Sequence, residues 1–151
     1  MKIFFHRKLL LVVASFSITL AAQTTTAELA AIPNPVLNFL GQEQVQTGGK
    51  SFVRYYFDVF NKDQYPAELF AAAPALPPCG KNANASRTWV DIYDQSGKRL
   101  NGFCALGKPG DLTRIWFALD ENTLPPSWVY IELTDRKTNT KYKSNLAETT
   151  L

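Results

Sequence analysis

From Val36 onward, hydrophobic positions recur every second residue in short runs separated by polar turns. The clearest run is Ser51 to Asn61 (SFVRYYFDVFN). There Val53, Tyr55, Phe57 and Val59 fall on one face, and Arg54, Tyr56 and Asp58 on the other. That period predicts a strand with one buried face. A helix would scatter the charged residues around its circumference. Arg87 to Leu106 (RTWVDIYDQSGKRLNGFCAL) predicts two strands joined at Asp94-Gln95-Ser96-Gly97. Asp at the first position of that turn bonds the backbone, and Gly at the fourth takes positive φ cheaply.

The remaining segments repeat the theme. Val36 to Val45 predicts a first strand with a bulge or bend at Gly41. Leu112 to Leu119 and Ser127 to Thr134 predict strands burying Ile115, Phe117, Leu119 and Val129, Ile131, Leu133. Thr140 to Ser144 predicts an edge strand whose lysines discourage aggregation. Ala67 to Ala72 fits a short strand or a helical turn. Ala73 to Ser86 carries three prolines, Gly80 and two asparagines, and predicts a long loop of the kind that is more often functional than short ones. Turns spaced about eight to twelve residues apart predict an all-β fold, a single antiparallel β-sandwich of about seven strands.

The first 22 residues follow a different pattern. Lys2, Arg7 and Lys8 precede the apolar run Leu9 to Leu20, and small residues follow at Ala21-Ala22 and Ala27. This arrangement predicts a secretory signal peptide over 1–22, with cleavage as late as 27 the alternative. The run of about a dozen residues is short of the roughly 20 needed to span a bilayer. A linker over 23–34, a sandwich over 35–145 and a frayed tail over 146–151 complete the expected organisation. The predicted location is the periplasm or the exterior.

Leader removal changes the charge. Taking Lys2, Arg7 and Lys8 from the 16 basic side chains leaves 13 against 13 acidic ones, so the exported part is neutral. Its basic residues are interspersed with acids, which argues against nucleic acid as a partner. Cys79 and Cys104 are the two cysteines, and in an exported chain they predict a disulfide rather than two buried thiols. Closing a loop of about 25 residues would contribute roughly 3 kcal/mol by restricting the unfolded chain.

Leu124, Pro126 and Tyr130 reproduce the Leu-x-Pro-x-x-x-Tyr spacing of fibronectin type III domains. Phe57 to Asn61 with Tyr65-Pro66 resembles the second strand of immunoglobulin-like bacterial adhesion and envelope domains. The resemblance implies a fibronectin type III or immunoglobulin-like sandwich. In that pattern the tyrosine hydroxyl ties a corner to upstream backbone. Glu132 and Thr134 depart from it, since apolar residues are wanted there, and allow Tyr130 to face outward. ELFAAAPALPPCG and SRTWVDIYD also resemble a family of small exported bacterial proteins of unknown function.

Candidate chemistry is mostly excluded. The single histidine, His6, lies in the leader, which removes Ser-His and Cys-His catalysis and histidine-ligated metals from the exported part. No phosphate loop, dinucleotide fingerprint or calcium loop occurs, and no cofactor is implied. Asp91 with Asp94, and Asp120 with Glu121, are the acid pairs available to a small carboxylate-dependent hydrolase or, at Asp120-Glu121, to calcium. Turn and surface roles explain them more simply. Tyr56, Trp89, Tyr93, Trp116 and Tyr130 lie opposite the aliphatic faces. They would form a carbohydrate-binding platform if several shared one exposed sheet, although sandwiches usually bury a tryptophan. Asn84-Ala85-Ser86 matches a glycosylation acceptor, of consequence only in a eukaryotic secretory host.

The expected function is a non-catalytic binding or structural module of the bacterial envelope or exterior. Its contact surface would be the Ala71 to Ser86 loop beside the hairpin turn, with Pro77, Pro78, Lys81, Asn82, Asn84, Arg87, Trp89 and Tyr93 as binding residues. The expected partner is an envelope protein or a glycan.

Overall fold

A computed structural model describes residues 31–79, 81 and 85–150. Residues 1–30, Gly80, Asn82, Ala83, Asn84 and Leu151 lie outside the described residues, so the signal-peptide expectation and two of the candidate binding residues are not addressed by it.

Two antiparallel sheets face each other. One contains β1 (Leu37–Thr47), β2 (Lys50–Val59) and β5 (Ile115–Asp120), in that order. The other runs β4 (Arg99–Phe103), β3 (Thr88–Asp94), β6 (Trp128–Asp135), β7 (Thr140–Lys143), with β8 (Ala147–Glu148) also on β6. The chain changes sheet after β2, β4 and β5. This is an all-β sandwich of eight strands.

The alternating positions become the core. Tyr55, Phe57 and Val59 from β2, Val90 and Ile92 from β3, Ile115 and Phe117 from β5, and Val129, Ile131 and Leu133 from β6 are all buried. Tyr55 stacks on Phe117 with ring centroids 4.9 Å apart, and the Phe57 ring centroid lies 5.9 Å from that of Phe117. Each fully buried large aliphatic or Phe side chain contributes about 1.5–3 kcal/mol through removal from water. These rings fill the centre that a tryptophan was expected to take. Trp89 and Trp116 instead face outward, because Val90 and Phe117 beside them occupy the inward register.

Several boundaries differ from the sequence reading. Leu112 enters the core from a 3₁₀ turn, Pro109–Arg114, and not from β5. Asp111 Oδ2 accepts hydrogen bonds from the Gly107 and Lys108 amides and curls the chain before the strand begins. Ala67–Leu69 forms a 3₁₀ turn. Gly41 has φ of 132° where the β1–β2 register shifts, as its predicted bulge requires. Pro33 and Asn34, expected in the linker, accept hydrogen bonds on their carbonyls from the Tyr65 hydroxyl (3.1 Å) and Asn61 Nδ2 (2.9 Å). Burial pushes the Tyr65 phenol up to about 12.

The tail expected to fray is built into the sheet. Ala147 and Thr149 are buried, and β8 extends the pairing of β6 beyond β7. Two asparagines stitch the sandwich along its open edges. Asn145 accepts from the Leu37 amide (2.8 Å) and donates to the Leu37 carbonyl (3.0 Å). On the opposite side Asn101 Nδ2 donates to the Trp116 carbonyl (2.6 Å). Each gives main-chain groups of one sheet a partner from the other, and so covers edge positions that would otherwise be left for water or another chain.

One end of the sandwich closes on a buried ion pair. Asp135 is 2% exposed. Its carboxylate accepts Arg87 Nε at 2.8 Å and Arg87 Nη2 at 2.5 Å, the Lys137 amide at 3.0 Å and the Thr138 hydroxyl at 2.9 Å. The Arg87 fork holds the Asp135 carboxyl at about 2, well below its ordinary 3.8. A depressed carboxyl stabilises the fold above its unfolded value and loses that contribution as pH falls through the folded one. The stability of the protein is therefore expected to fall by roughly 2 kcal/mol from this group alone as pH drops from about 4 to about 2. Urea unfolding of wild type and Asp135→Asn across pH 2–7 checks this: the difference between the curves should shrink toward acid pH. A constant difference would remove the assignment.

Candidate functional site

The outer face of the larger sheet holds most of the described candidate residues. Alternation on β3 points Trp89, Asp91 and Tyr93 outward, and pairing sets them beside Thr134, Glu132 and Tyr130 of β6. The hairpin turn positions β4 alongside. Asp94 Oδ1 accepts from the Ser96 and Lys98 amides and the Ser96 hydroxyl, and Gly97 takes φ of 87°. The Ser96 and Lys98 hydrogen bonds hold the Asp94 carboxyl below its ordinary value. Asp94 is thus a turn residue.

The loop before β3 is held at several points. Cys79 and Cys104 form a disulfide, with Cα atoms 6.1 Å apart. The Ser86 amide donates to the Cys104 carbonyl (2.8 Å), the Arg87 amide to Ala71 (2.9 Å) and the Ala73 amide to Ala85 (3.0 Å). Arg136, which the sequence did not single out, completes the attachment. Its guanidinium lies 4.1 Å from the centroid of the Trp89 ring and donates to the carbonyls of Ser86 and Pro77. A cavity of about 60 Å³ beside the disulfide is lined by Trp89, Asp91, Arg99, Gly102 and Phe103. The Trp89 indole nitrogen is buried and has no hydrogen-bond partner among the described residues.

The candidates separate into distinct roles. Pro77, Pro78 and Lys81 are exposed on the loop. Arg87 is taken up by Asp135 and is therefore a structural residue, its own charge held on by that carboxylate. Trp89 joins the loop to the sheet through Arg136. Tyr93 is four positions further along β3, about 13 Å away at the usual rise of a strand. It stacks on Tyr130 with centroids 5.3 Å apart, and Lys143 Nζ lies 3.9 Å from the Tyr130 centroid. Burial, followed by the charges of Asp91 and Glu132, raises the Tyr93 phenol. Tyr130 thus sits on the outward face that the departure at Glu132 and Thr134 allowed.

The five outward aromatics do not share a platform. Trp89, Tyr93 and Tyr130 belong to the larger sheet, whereas Tyr56 and Trp116 lie on the outer face of the smaller one. Four of the rings carry a cation: Arg136 on Trp89, Lys143 on Tyr130, Arg54 on Trp116 (4.4 Å) and Arg114 on Tyr56 (4.3 Å). These partners were missed because they come from other strands and turns, and only register brings them over the rings. Arg54 is the exception, since alternation along β2 already places it on the outward face.

Acid chemistry finds little support in this geometry. Asp91 and Glu132 are directly opposed, but Arg99 Nε holds Asp91 at 2.6 Å and Lys141 Nζ holds Glu132 at 2.9 Å. Glu132 raises the Lys141 ammonium in turn. Among the described residues no group of three or more His, Cys, Asp and Glu side chains is arranged to hold a metal. No described helix is long and apolar enough to cross a membrane.

Arg136→Met should release the loop while leaving the disulfide intact. The loss of one cation–π contact and two hydrogen bonds is expected to cost about 1–2 kcal/mol. Limited proteolysis should then cut within residues 73–86 several-fold faster than in wild type. Unchanged cleavage would mean that the disulfide alone positions the loop.

No family model matches this chain, and searches of curated proteins and of solved structures return no match.

Proposed function

We propose that this protein is a non-catalytic binding module of the bacterial envelope or exterior that presents the loop 71–86 as its contact surface. The observation carrying this reading is the multiple anchoring of that loop. A disulfide, Arg136 and three main-chain hydrogen bonds hold a segment whose Pro77, Pro78 and Lys81 remain exposed. A surface held in one conformation before binding loses less entropy on association, which is the physical benefit of preorganisation. The disulfide also favours an oxidising compartment, in agreement with the leader pattern of residues 1–22.

The order of strands supports assigning the sandwich to the fibronectin type III or immunoglobulin-like type. A three-stranded sheet packs on a five-stranded one, and the chain crosses between sheets after β2, β4 and β5. The carbohydrate-platform reading is weaker, because the outward rings are divided between two faces and four of them lie under cations. A hydrolase reading is weaker because Asp91 and Glu132 are each engaged by a cation.

Capture from envelope and culture extracts tests the proposal. The wild type is compared with a variant in which residues 75–84 are replaced by a Gly-Ser linker and Cys104 by Ala. Ala85 and Ser86 are retained because both are buried. A partner bound by wild type and lost by the folded variant is the expected result. Equal capture by both would move the site to a sheet face, and capture by neither would overturn the binding role.

A further inference from the structure

The outer face of the smaller sheet, opposite in character to the loop surface, carries a second cluster of polar and aromatic groups. Tyr56 of β2 is at its centre. Arg114, from the end of the 3₁₀ turn, lies over the Tyr56 ring at 4.3 Å, and Arg54 lies over Trp116 at 4.4 Å. Glu43 of β1 is the carboxylate between them. The Tyr56 hydroxyl donates to Glu43 Oε1, and Arg54 Nη1 donates to the Tyr56 hydroxyl at 3.1 Å.

The charges do not balance. Arg54 and Arg114 approach Glu43 at 3.7 and 3.9 Å, too far for a hydrogen bond from either guanidinium. Arg54 Nε is buried and has no partner among the described residues. A guanidinium stacked on a ring keeps its in-plane N–H groups free, and the ring orients them. Two guanidiniums thus share one carboxylate that satisfies neither.

A cavity of about 340 Å³ opens beside this cluster, lined by Leu40, Gly41, Gln42, Glu43, Tyr56 and Arg114. That volume is at the lower end of the range typical of small-ligand sites, about 300–1,000 Å³. Its lining brings the exposed Arg114 guanidinium together with the half-exposed Leu40 side chain. The β1 bulge at Gly41 interrupts the edge of the strand. An extended peptide adding to that edge would lose its regular ladder there, which favours a compact ligand.

We propose that this cleft binds the carboxylate of an acidic sugar, a uronate-class ring. The carboxylate would fork onto Arg114, which a planar guanidinium matches in two parallel hydrogen bonds. An apolar ring face would rest against Leu40. The site is separate from the loop 71–86, and the inference does not rest on that loop being a contact surface.

Calorimetric titration of the purified protein with trigalacturonate tests the assignment, with neutral galactotriose and inorganic phosphate as the other arms. Saturable binding of trigalacturonate alone is expected. Arg114→Gln should weaken it about tenfold or more, the loss typical of a charge-assisted pair. Arg114 is 64% exposed in its side chain, so the fold tolerates this change. Glu43→Gln should tighten binding several-fold by removing the competing resident charge. Absence of trigalacturonate binding, equal binding by Arg114→Gln, or weaker binding by Glu43→Gln would each overturn the proposal. Equal affinity for phosphate or galactotriose would overturn the acidic-sugar assignment.

Discussion

Burial of one face of each sheet against the other is the constraint on which the rest of this protein depends. Phe57 and Phe117 from the smaller sheet meet Val90, Ile92 and Ile131 from the larger one, all inaccessible to water. Because side chains alternate along a strand, this choice of inward residues also determines every outward one. Trp89, Asp91 and Tyr93 are on the surface because Val90 and Ile92 are not. The functional surface is the other half of the packing decision.

Outward aromatics are then only partly exposed, and the solution in this chain is repeated on both sheets. Cations from neighbouring elements lie over Trp89, Tyr130, Trp116 and Tyr56. Such pairs cover apolar ring area while keeping the charge in contact with water, and each contributes about 0.5–1 kcal/mol at an exposed position. Their placement has consequences beyond stability. Arg136 couples ring coverage to the position of the loop, whereas Arg114 carries its guanidinium into the lining of an open cavity.

Edge protection is a related economy of side chains. Asn145 and Asn101 each supply an amide where the two sheets come together, and Asp135 closes one end with Arg87. Asn145 explains why the terminal segment is ordered through Thr149, in contrast to its polar and unpatterned sequence. Nothing within residues 145–149 alone favours a strand; the partner is Leu37, more than a hundred positions away. Separation along the chain likewise decides which local feature is legible. Asp94 and Gly97 act within their own turn, so that turn was legible, but the anchoring role of Arg136 depends on Pro77 and Trp89.

The all-β class, the inward faces of β2 and β6, the bulge at Gly41, the hairpin turn and the cysteine pairing follow from the amino-acid sequence by itself. Each rests on local alternation, local turn chemistry or a choice of one possible pair. The lack of histidine beyond position 6 likewise needs no structure to exclude whole classes of chemistry. Only the tertiary structure decided which tryptophans face out, that Arg87 is consumed by Asp135, that Arg136 holds the loop, and that Arg54 and Arg114 converge on one carboxylate. These are outcomes of strand register and sheet-to-sheet packing, which join residues far apart in the chain. Periodicity says which face a residue takes, but not which distant residue it meets there.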